Sequence, residues 1–421
     1  MATGFAENAQ RRIVFLFPGQ GTQKKGMGLN LSKTEPAFAG ALHDCATILA
    51  GLGIDLEAIL AGKTEIGLDT TAMAQPAIFA FEWALAAMWA SKGVLPDIMI
   101  GHSLGGIVAA ARANVMSLND AITVVVARGQ LMERAPPGAM IAVYASPSAV
   151  APYLGKKCAI ASIGSPVNCA ASGPTPEIGR LEAKLSAIGI HTRRLRAAKA
   201  FHSPVMNDLV PALEREFGSI RLIPPSTTVV SSVTGRVMTA EEAVSPHYWA
   251  DQIATPVRFL DSLQTVGTSP TTIWLELGPA ALLGELVRAT FGEDVTTIAT
   301  VSESHPSEAD SVAAAQLALY RAGVRANFDT MRGICANEPS IIQPRTPTER
   351  SLARIWSAML GIEEVGIRDD FFELGGKSLQ AIEVIAQVNE LFDGDIDLET
   401  LFNARTIEEL GARIDNKRQP A

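Results

Sequence analysis

Cysteine, histidine and charge are all sparse in this chain. Four cysteines and six histidines among 421 residues leave little from which to build a metal centre. Cys45, Cys158, Cys169 and Cys335 are scattered with no Cys-x-x-Cys, so neither a zinc site nor a disulfide framework is indicated. The histidines show no ligand spacing either, and no metal is expected. The most apolar helical stretch, 77–90, contains Glu82 and is short for a membrane span. Residues 1–10 lack the long apolar run of a signal peptide. The expectation is a soluble, cytoplasmic protein that meets no membrane. Charged residues make up 19% of the chain and hydrophobic ones 48%, a composition that suits well-buried globular domains.

A length of 421 residues exceeds one hydrophobic core and implies two or three domains. The net charge of −9 is uneven: 346–417 holds 15 acidic and 7 basic residues, or −8, which leaves −1 for the rest. An acidic C-terminal module on a near-neutral body argues against nucleic acid as a partner. It suits docking on basic protein surfaces.

The pentapeptide Gly101-His102-Ser103-Leu104-Gly105 organises the body. It follows the apolar run 98–100, a buried strand, and precedes 106–112, a helix. A serine at a sharp strand-to-helix turn flanked by glycines is the context of a nucleophile elbow. An ordinary glycine-rich turn is the structural alternative. The run 13–17 is a second buried strand. It ends in Pro18-Gly19-Gln20-Gly21, which lacks the Lys-Ser/Thr of a phosphate-binding loop. Gln20 there is either a turn residue or an amide presented near the elbow. Gln75-Pro76 opens an internal helix that stops at Gly93. Within a helix over 119–135, Arg128 sits among valines and alanines, so its guanidinium either snorkels to water or meets an anion.

The region 138–198 carries the pattern β-α-β-β-α-β, a ferredoxin-like subdomain inserted in the larger α/β unit. The chain re-enters the body through Lys199-Ala200-Phe201-His202-Ser203-Pro204. Most lone histidines are surface or structural, so His202 by itself reads as such before it reads as a base. Three prolines, Pro339, Pro344 and Pro347, mark a linker over 331–346. The residues after it carry amphipathic patterns that predict a four-helix bundle.

These motifs, in order, resemble one family: the malonyl-CoA:carrier-protein acyltransferases, with the acyltransferase domains of polyketide synthases. The resemblance covers 11–322. It rests on Phe17-Pro18-Gly19-Gln20-Gly21, Gln75-Pro76-Ala77, the elbow, Ala127-Arg128-Gly129, Phe201-His202-Ser203-Pro204, Tyr248-Trp249 with Pro256-Val257-Arg258-Phe259, and Leu275-Glu276-Leu277-Gly278-Pro279. Each motif is weak alone; the ordered set is specific. The resemblance implies an α/β-hydrolase-like acyltransferase body over 11–330. It implies that Ser103 is the nucleophile and His202 its general base, with the imidazole oriented by a backbone carbonyl, that of Gln252. Gln20 and the Leu104 N–H would form the oxyanion hole. Arg128 would hold the free carboxylate of a malonyl-type acyl-CoA, and Gln75 would lie near the floor of the site. Family members selective for malonyl often carry His-Ala-Phe-His where this chain has Lys199-Ala200-Phe201-His202. Phe201 then disfavours a 2-methyl substituent, and Lys199 leaves room for a polar one. Gly106 and Gly164 stand where the family commonly has glutamate and asparagine.

Residues 347–417 resemble acyl and peptidyl carrier domains. The match centres on Asp370-Phe371-Phe372-Glu373-Leu374-Gly375-Gly376-Lys377-Ser378-Leu379. It implies a covalent 4'-phosphopantetheine on Ser378, installed by a phosphopantetheinyl transferase. A helix N-cap serine is the structural alternative. The whole implies an acyltransferase fused to an all-α carrier, loading a malonyl-type unit and serving ketosynthase- or condensation-containing synthase partners. The alternatives are transfer of a methylmalonyl or polar-substituted extender, service to carriers on other proteins, and a carrier or docking protein with an inactive acyltransferase half.

Overall fold

The computed structural model describes residues 11–64, 67–326, 343–360, 365–371, 374, 378–392 and 396–418. The chain divides into two compact units, Met1–Asn327 and Phe328–Ala421.

Among the described residues the first unit holds nine strands in two sheets. They are β1 (Arg12–Phe17), β2 (Ile98–Gly101), β3 (Ala139–Val143), β4 (Ala159–Ser165), β5 (Asn168–Gly173), β6 (Thr192–Arg194), β7 (Thr228–Val230), β8 (Thr272–Glu276) and β9 (Thr296–Ala299). The body sheet runs β7-β2-β1-β8-β9, and all its neighbours are parallel. A parallel sheet is covered on both faces, which is why 13–17 of β1 is apolar without alternation. Val14 and Leu16 pack with Ile100, Trp274, Phe259 and Val287. The chain builds leftward from β1 through β2 to β7, then crosses to β8 and β9. That reversal opens a crevice outside the carboxyl ends of the central strands.

The helix Thr71–Ser91 is buried along most of its length, as its apolar sequence demands. It begins at Thr71 rather than at Gln75-Pro76, and Pro76 lies inside it. The reason is an anchor at the start: Thr71 N–H donates to Glu133 Oε2 at 2.6 Å, a carboxylate at the positive end of the helix. The absent Pro76 N–H forfeits only the bond to the Ala72 carbonyl. The helix Pro36–Gly51 and strand β9 carried no clear sequence signal.

The second sheet lies between β2 and β7 in the chain. Its order is β4-β5-β3-β6, antiparallel throughout. The helix Thr175–Ala187 covers one face, with Ile178, Leu181 and Leu185 in a cluster with Ile141, Val143 and Ala171. After His202 the chain forms a 3₁₀ segment, Pro204–Leu209, followed by the helix Val210–Gly218.

In the second unit the described residues form the helices Pro347–Leu360, Ser378–Phe392, Leu398–Asn403 and Ile407–Arg418. Leu352, Trp356, Phe371, Val384, Val388, Ile407 and Leu410 make its core. Of the expected linker, 331–342 lies outside the described residues, as do Gly375, Gly376 and Lys377. Among the described residues no helix is long and apolar enough to cross a membrane.

Candidate active site

The elbow is built from two close approaches. A Cβ on Gly105 would stand 2.0 Å from the Phe17 carbonyl oxygen, and one on Gly101 would stand 2.0 Å from the Gly105 carbonyl carbon. Only glycine lets the helix Leu104–Arg112 start this tightly against β1 and β2. Ser103, between them, takes φ 53° and ψ −109°. Gly105 N–H bonds the His102 carbonyl at 3.1 Å and Gly106 N–H bonds that of Ser103 at 3.0 Å. The buried Leu104 is left with its N–H at the open start of the helix, next to the serine.

His202 comes from the far side of the inserted sheet, on the segment that leads back to the body. Its backbone φ is 55°. Among the described residues only Ser103, Asn114 and His202 are non-glycines with left-handed backbone, so two of the three strained positions face each other here. Ser103 Oγ lies 2.8 Å from His202 Nε2. His202 Nδ1 lies 2.9 Å from the Thr255 carbonyl oxygen. A carbonyl only accepts, so Nδ1 carries the hydrogen and Nε2 is left bare to accept from the serine hydroxyl.

The carbonyl within hydrogen-bond distance of Nδ1 is that of Thr255, three residues beyond Gln252, whose own carbonyl also bears on the ring. The helix Pro246–Asp251 continues for a further turn, with Thr255 N–H bonded to the Asp251 carbonyl at 3.1 Å. Carbonyls three residues apart lie on one face of such a turn, and the second of them reaches the imidazole. The Gln252 carbonyl makes the weaker of the two contributions in favour of the charged ring. Its neighbour Ile253 accepts from the His202 backbone N–H at 2.9 Å.

Burial pushes His202 down to about 3, and the Arg128 charge pushes it the same way against the pull of the two carbonyls. The ring is neutral throughout the physiological range. Arg128 is 1% exposed. It donates from one terminal nitrogen to Ser103 Oγ at 3.0 Å and from the other to Gln75 Oε1 at 2.7 Å. Burial lowers it to about 10, which leaves it charged at neutral pH. Its Nε has no hydrogen-bond partner among the described residues. Gln75 Nε2 in turn donates to Gln20 Oε1 at 3.3 Å, and Gln20 Nε2 to Thr71 Oγ1 at 3.4 Å. One chain of contacts thus ties Ser103, Arg128, Gln75 and Gln20 together across separate stretches of sequence.

Phe201 is buried beside His202. Lys199 is engaged elsewhere: its ammonium donates to the Ala135 carbonyl at 2.8 Å. Ser378 is the first residue of the helix Ser378–Phe392 in the second unit. Thr71 and the Thr255 carbonyl escaped the sequence reading. A backbone carbonyl has no residue signature, and Thr71 is visible only once the start of its helix is known.

The sheet, the elbow and the neutral histidine define a class: a protein for acyl transfer. Residues 14–327 match the acyl transferase domain family, and the chain belongs to it. It is an acyltransferase. Residues 350–414 match the phosphopantetheine attachment site family, so the second unit carries phosphopantetheine on a serine. The chain is 33% identical over 460 residues to a component of the phenolphthiocerol/phthiocerol polyketide synthase of Mycobacterium tuberculosis, a match that covers 96% of this chain and 30% of the relative. It is 34% identical over 290 residues to the spectinabilin polyketide synthase system protein NorB of Streptomyces orinoci, covering 67% and 13%. The chain therefore spans less than a third of the length of these curated relatives. Among solved structures, it is similar to the acyltransferase domain from the second module of the salinomycin polyketide synthase, with 34% identity, a TM-score of 0.72 and coverage of 79% and 78%. It is also similar to the malonyl CoA-acyl carrier protein transacylase of Burkholderia pseudomallei, with 29% identity, a TM-score of 0.61 and coverage of 66% and 98%.

Proposed function

We propose that this chain takes a malonyl-type acyl group from CoA onto Ser103 and passes it to a phosphopantetheine thiol, in polyketide or hybrid polyketide–nonribosomal peptide biosynthesis. The observation that carries the reading is one triangle. Ser103 Oγ lies 2.8 Å from a bare imidazole nitrogen and 3.0 Å from a buried guanidinium. The imidazole supplies the base, and the guanidinium supplies a counter-charge for an acyl group that ends in a carboxylate.

Ser103 Oγ attacks the thioester carbonyl while His202 Nε2 takes its proton. The oxyanion that forms sits at the start of the elbow helix, near the Leu104 N–H, with Gln20 as the second donor. Loss of one such donor typically costs ~10²–10³ in turnover. The intermediate collapses, the carbon–sulfur bond breaks, and His202 returns the proton to the leaving CoA thiolate. In the second half His202 takes the proton of an incoming thiol and gives it back to Ser103 Oγ. Both ends are thioesters, so the buried site must above all exclude water.

Ser378 fits the attachment of a phosphate because it opens a helix of 15 residues, whose first N–H groups have no acceptor within the helix. The arm, when attached, supplies the thiol that relieves Ser103 of its acyl group. A phosphopantetheinyl transferase would install it, and ketosynthase or condensation proteins would use the product, in the cytoplasm. The antiparallel insert with its order β4-β5-β3-β6 supports the ferredoxin-like reading, and the parallel sheet with its elbow supports the α/β-hydrolase-like one. The helices of the second unit support a four-helix carrier.

Malonyl is favoured over a polar-substituted extender by one contact. The Lys199 ammonium is bound to the Ala135 carbonyl and is not offered to a substituent. The test is intact-protein mass spectrometry of the holo-protein, given malonyl-, methylmalonyl- and acetyl-CoA in competition. Malonyl on both Ser103 and Ser378 is the expected result. Acyl on Ser103 alone means service to another carrier, and no acyl-serine refutes the reading.

A further inference from the structure

Strand β4 of the inserted sheet contacts His102, next to Ser103, and Val257, two residues after the carbonyl partner of His202. Strand β4 lies at the edge of that sheet, next to β5 only. Its other edge meets the body segment that follows His202's carbonyl partner. Val257 N–H bonds the Ala161 carbonyl at 2.9 Å, and Ile163 N–H bonds the Val257 carbonyl at 2.8 Å. Val257 stands two residues after Thr255, whose carbonyl holds His202 Nδ1. Ser162 lies at the centre of this bridge, opposite Val257.

The same strand reaches the nucleophile. Ser162 Oγ is 3.0 Å from His102 Nε2, and His102 is the residue directly before Ser103. The His102 backbone is itself fixed, with its N–H on the Phe17 carbonyl at 2.8 Å. Burial pushes the His102 ring down to about 4, so it is a neutral hydrogen-bonding group and not a charge. The β4–β5 register slips on both sides of this point, between Ile160 and Ser162 and between Ile163 and Ser165. Bulges of this kind re-aim a side chain, and their clustering around one serine that touches the elbow calls for a reason.

We propose that Ser162 is a positioning residue for the Ser103–His202 pair: its hydroxyl holds the His102 ring behind the elbow, while its strand holds the Val257 segment behind His202. The inference rests on the Ser103–His202 reading above and extends it to a residue of the insert that touches neither member of the pair. Two arms from one strand fix the distance between nucleophile and base. Removal of the hydroxyl frees the His102 arm and leaves the backbone arm intact.

The test compares the full-length wild type with Ser162→Ala and Ser162→Thr. Acylation of Ser103 is followed by rapid quench and intact mass across malonyl-CoA concentrations, and thermal unfolding is measured alongside. Misplacement of reacting groups costs up to about 100-fold, so Ser162→Ala is expected to lower the maximal acylation rate by about 10- to 100-fold at an unchanged half-saturating concentration. Ser162→Thr, which keeps the hydroxyl on a branched strand residue, is expected to recover most of the rate. Three results overturn the inference alone, given an active wild type. They are an alanine variant as fast as wild type, a threonine variant as slow as alanine, and a loss that matches a smaller folded fraction. A wild type that forms no acyl-Ser103 overturns the functional reading and this inference with it.

Discussion

The Arg128 guanidinium donates to Ser103 Oγ at 3.0 Å, and among the described residues it meets no carboxylate. Its other partner is the neutral amide of Gln75. A buried cation without an anion is costly, and the protein tolerates it where the anion arrives with the substrate. The same charge depresses the His202 base. On the proposed reading, an acyl group whose carboxylate pairs with Arg128 does two things at once: it neutralises that charge and makes His202 more basic.

Arg128→Ala should erase the preference for carboxylated acyl groups. A hydrogen bond to a charged group is worth about 1.5–3 kcal/mol, so the malonyl-to-acetyl ratio on Ser103 should fall by roughly 10- to 100-fold. Competition between the two CoA thioesters, read by mass, gives the ratio directly. An unchanged ratio removes Arg128 from the acyl pocket.

Ser103→Ala should abolish loading of the carrier, whereas Ser378→Ala should leave acyl-Ser103 formation intact. The two variants separate the half-reactions, because on the proposed route each removes one oxygen that bears the cargo or its arm. Intact mass after incubation with malonyl-CoA reports both sites in one spectrum. A Ser103→Ala protein that still loads its arm at the wild-type rate would refute the covalent route.

Much of this site is legible in the sequence, and the boundary is physical. Ser103 and the two glycines announce themselves because a backbone that approaches Phe17 within 2.0 Å of a notional Cβ admits no other residue type. The inserted sheet shows in the order of its short strands and helices, β-α-β-β-α-β. Thr255 is hidden because a helical turn presents two carbonyls on one face, its own and that of Gln252, and sequence cannot tell which lies nearer the imidazole. The start at Thr71 is hidden because its anchor, Glu133, lies on another helix. Ser162 gives no signal: a serine in a strand becomes informative only when a bulge aims it at His102.

The pH profile should separate free enzyme from acyl-CoA complex. His202 titrates at about 3 in the free protein, lowered by burial first and by Arg128 next. The acid limb of kcat/KM reports the free enzyme and should lie well below the ordinary imidazole value of 6.5. The limb of kcat reports the complex, and it should lie at higher pH if the substrate carboxylate neutralises Arg128 there. With an uncharged acyl group the two limbs should coincide. A kcat limb at lower pH than that of kcat/KM would contradict the arrangement.

The same two histidines should make the first unit sensitive to acid. His102 and His202 titrate at about 4 and about 3 in the folded state, against 6.5 for a free ring. Between these values the unfolded chain binds protons that the folded one refuses. Stability therefore falls as pH drops from about 6.5 towards 4. Denaturant midpoints at pH 7.5, 6 and 5 should fall in that order, and His202→Gln should flatten the trend. An equal slope in that variant would place the protons elsewhere.

Glu82 offers the opposite sign. It is fully buried in the helix Thr71–Ser91, and neither of its carboxyl oxygens has a hydrogen-bond partner among the described residues. Burial, with the neighbouring charge of Glu276, holds its carboxyl well above the usual range. The folded state thus keeps a proton that the unfolded state releases, so stability from this group is present at low pH and lost as pH rises. Glu276 lacks the same liability in full, because it accepts from the N–H groups of Leu282, Leu283 and Gly284 at the start of a helix. An unsatisfied buried polar group costs roughly 1–3 kcal/mol, and Glu82→Met, which fills the same volume without polar atoms, should recover about that much at pH 7.5. The gain should shrink as pH falls through the carboxylate range, where the unfolded chain is protonated too. Urea unfolding of both proteins at pH 7.5 and pH 5 measures it. A methionine variant less stable than wild type at both values would show that Glu82 has a partner worth keeping, and a gain independent of pH would show that its proton is not the cause.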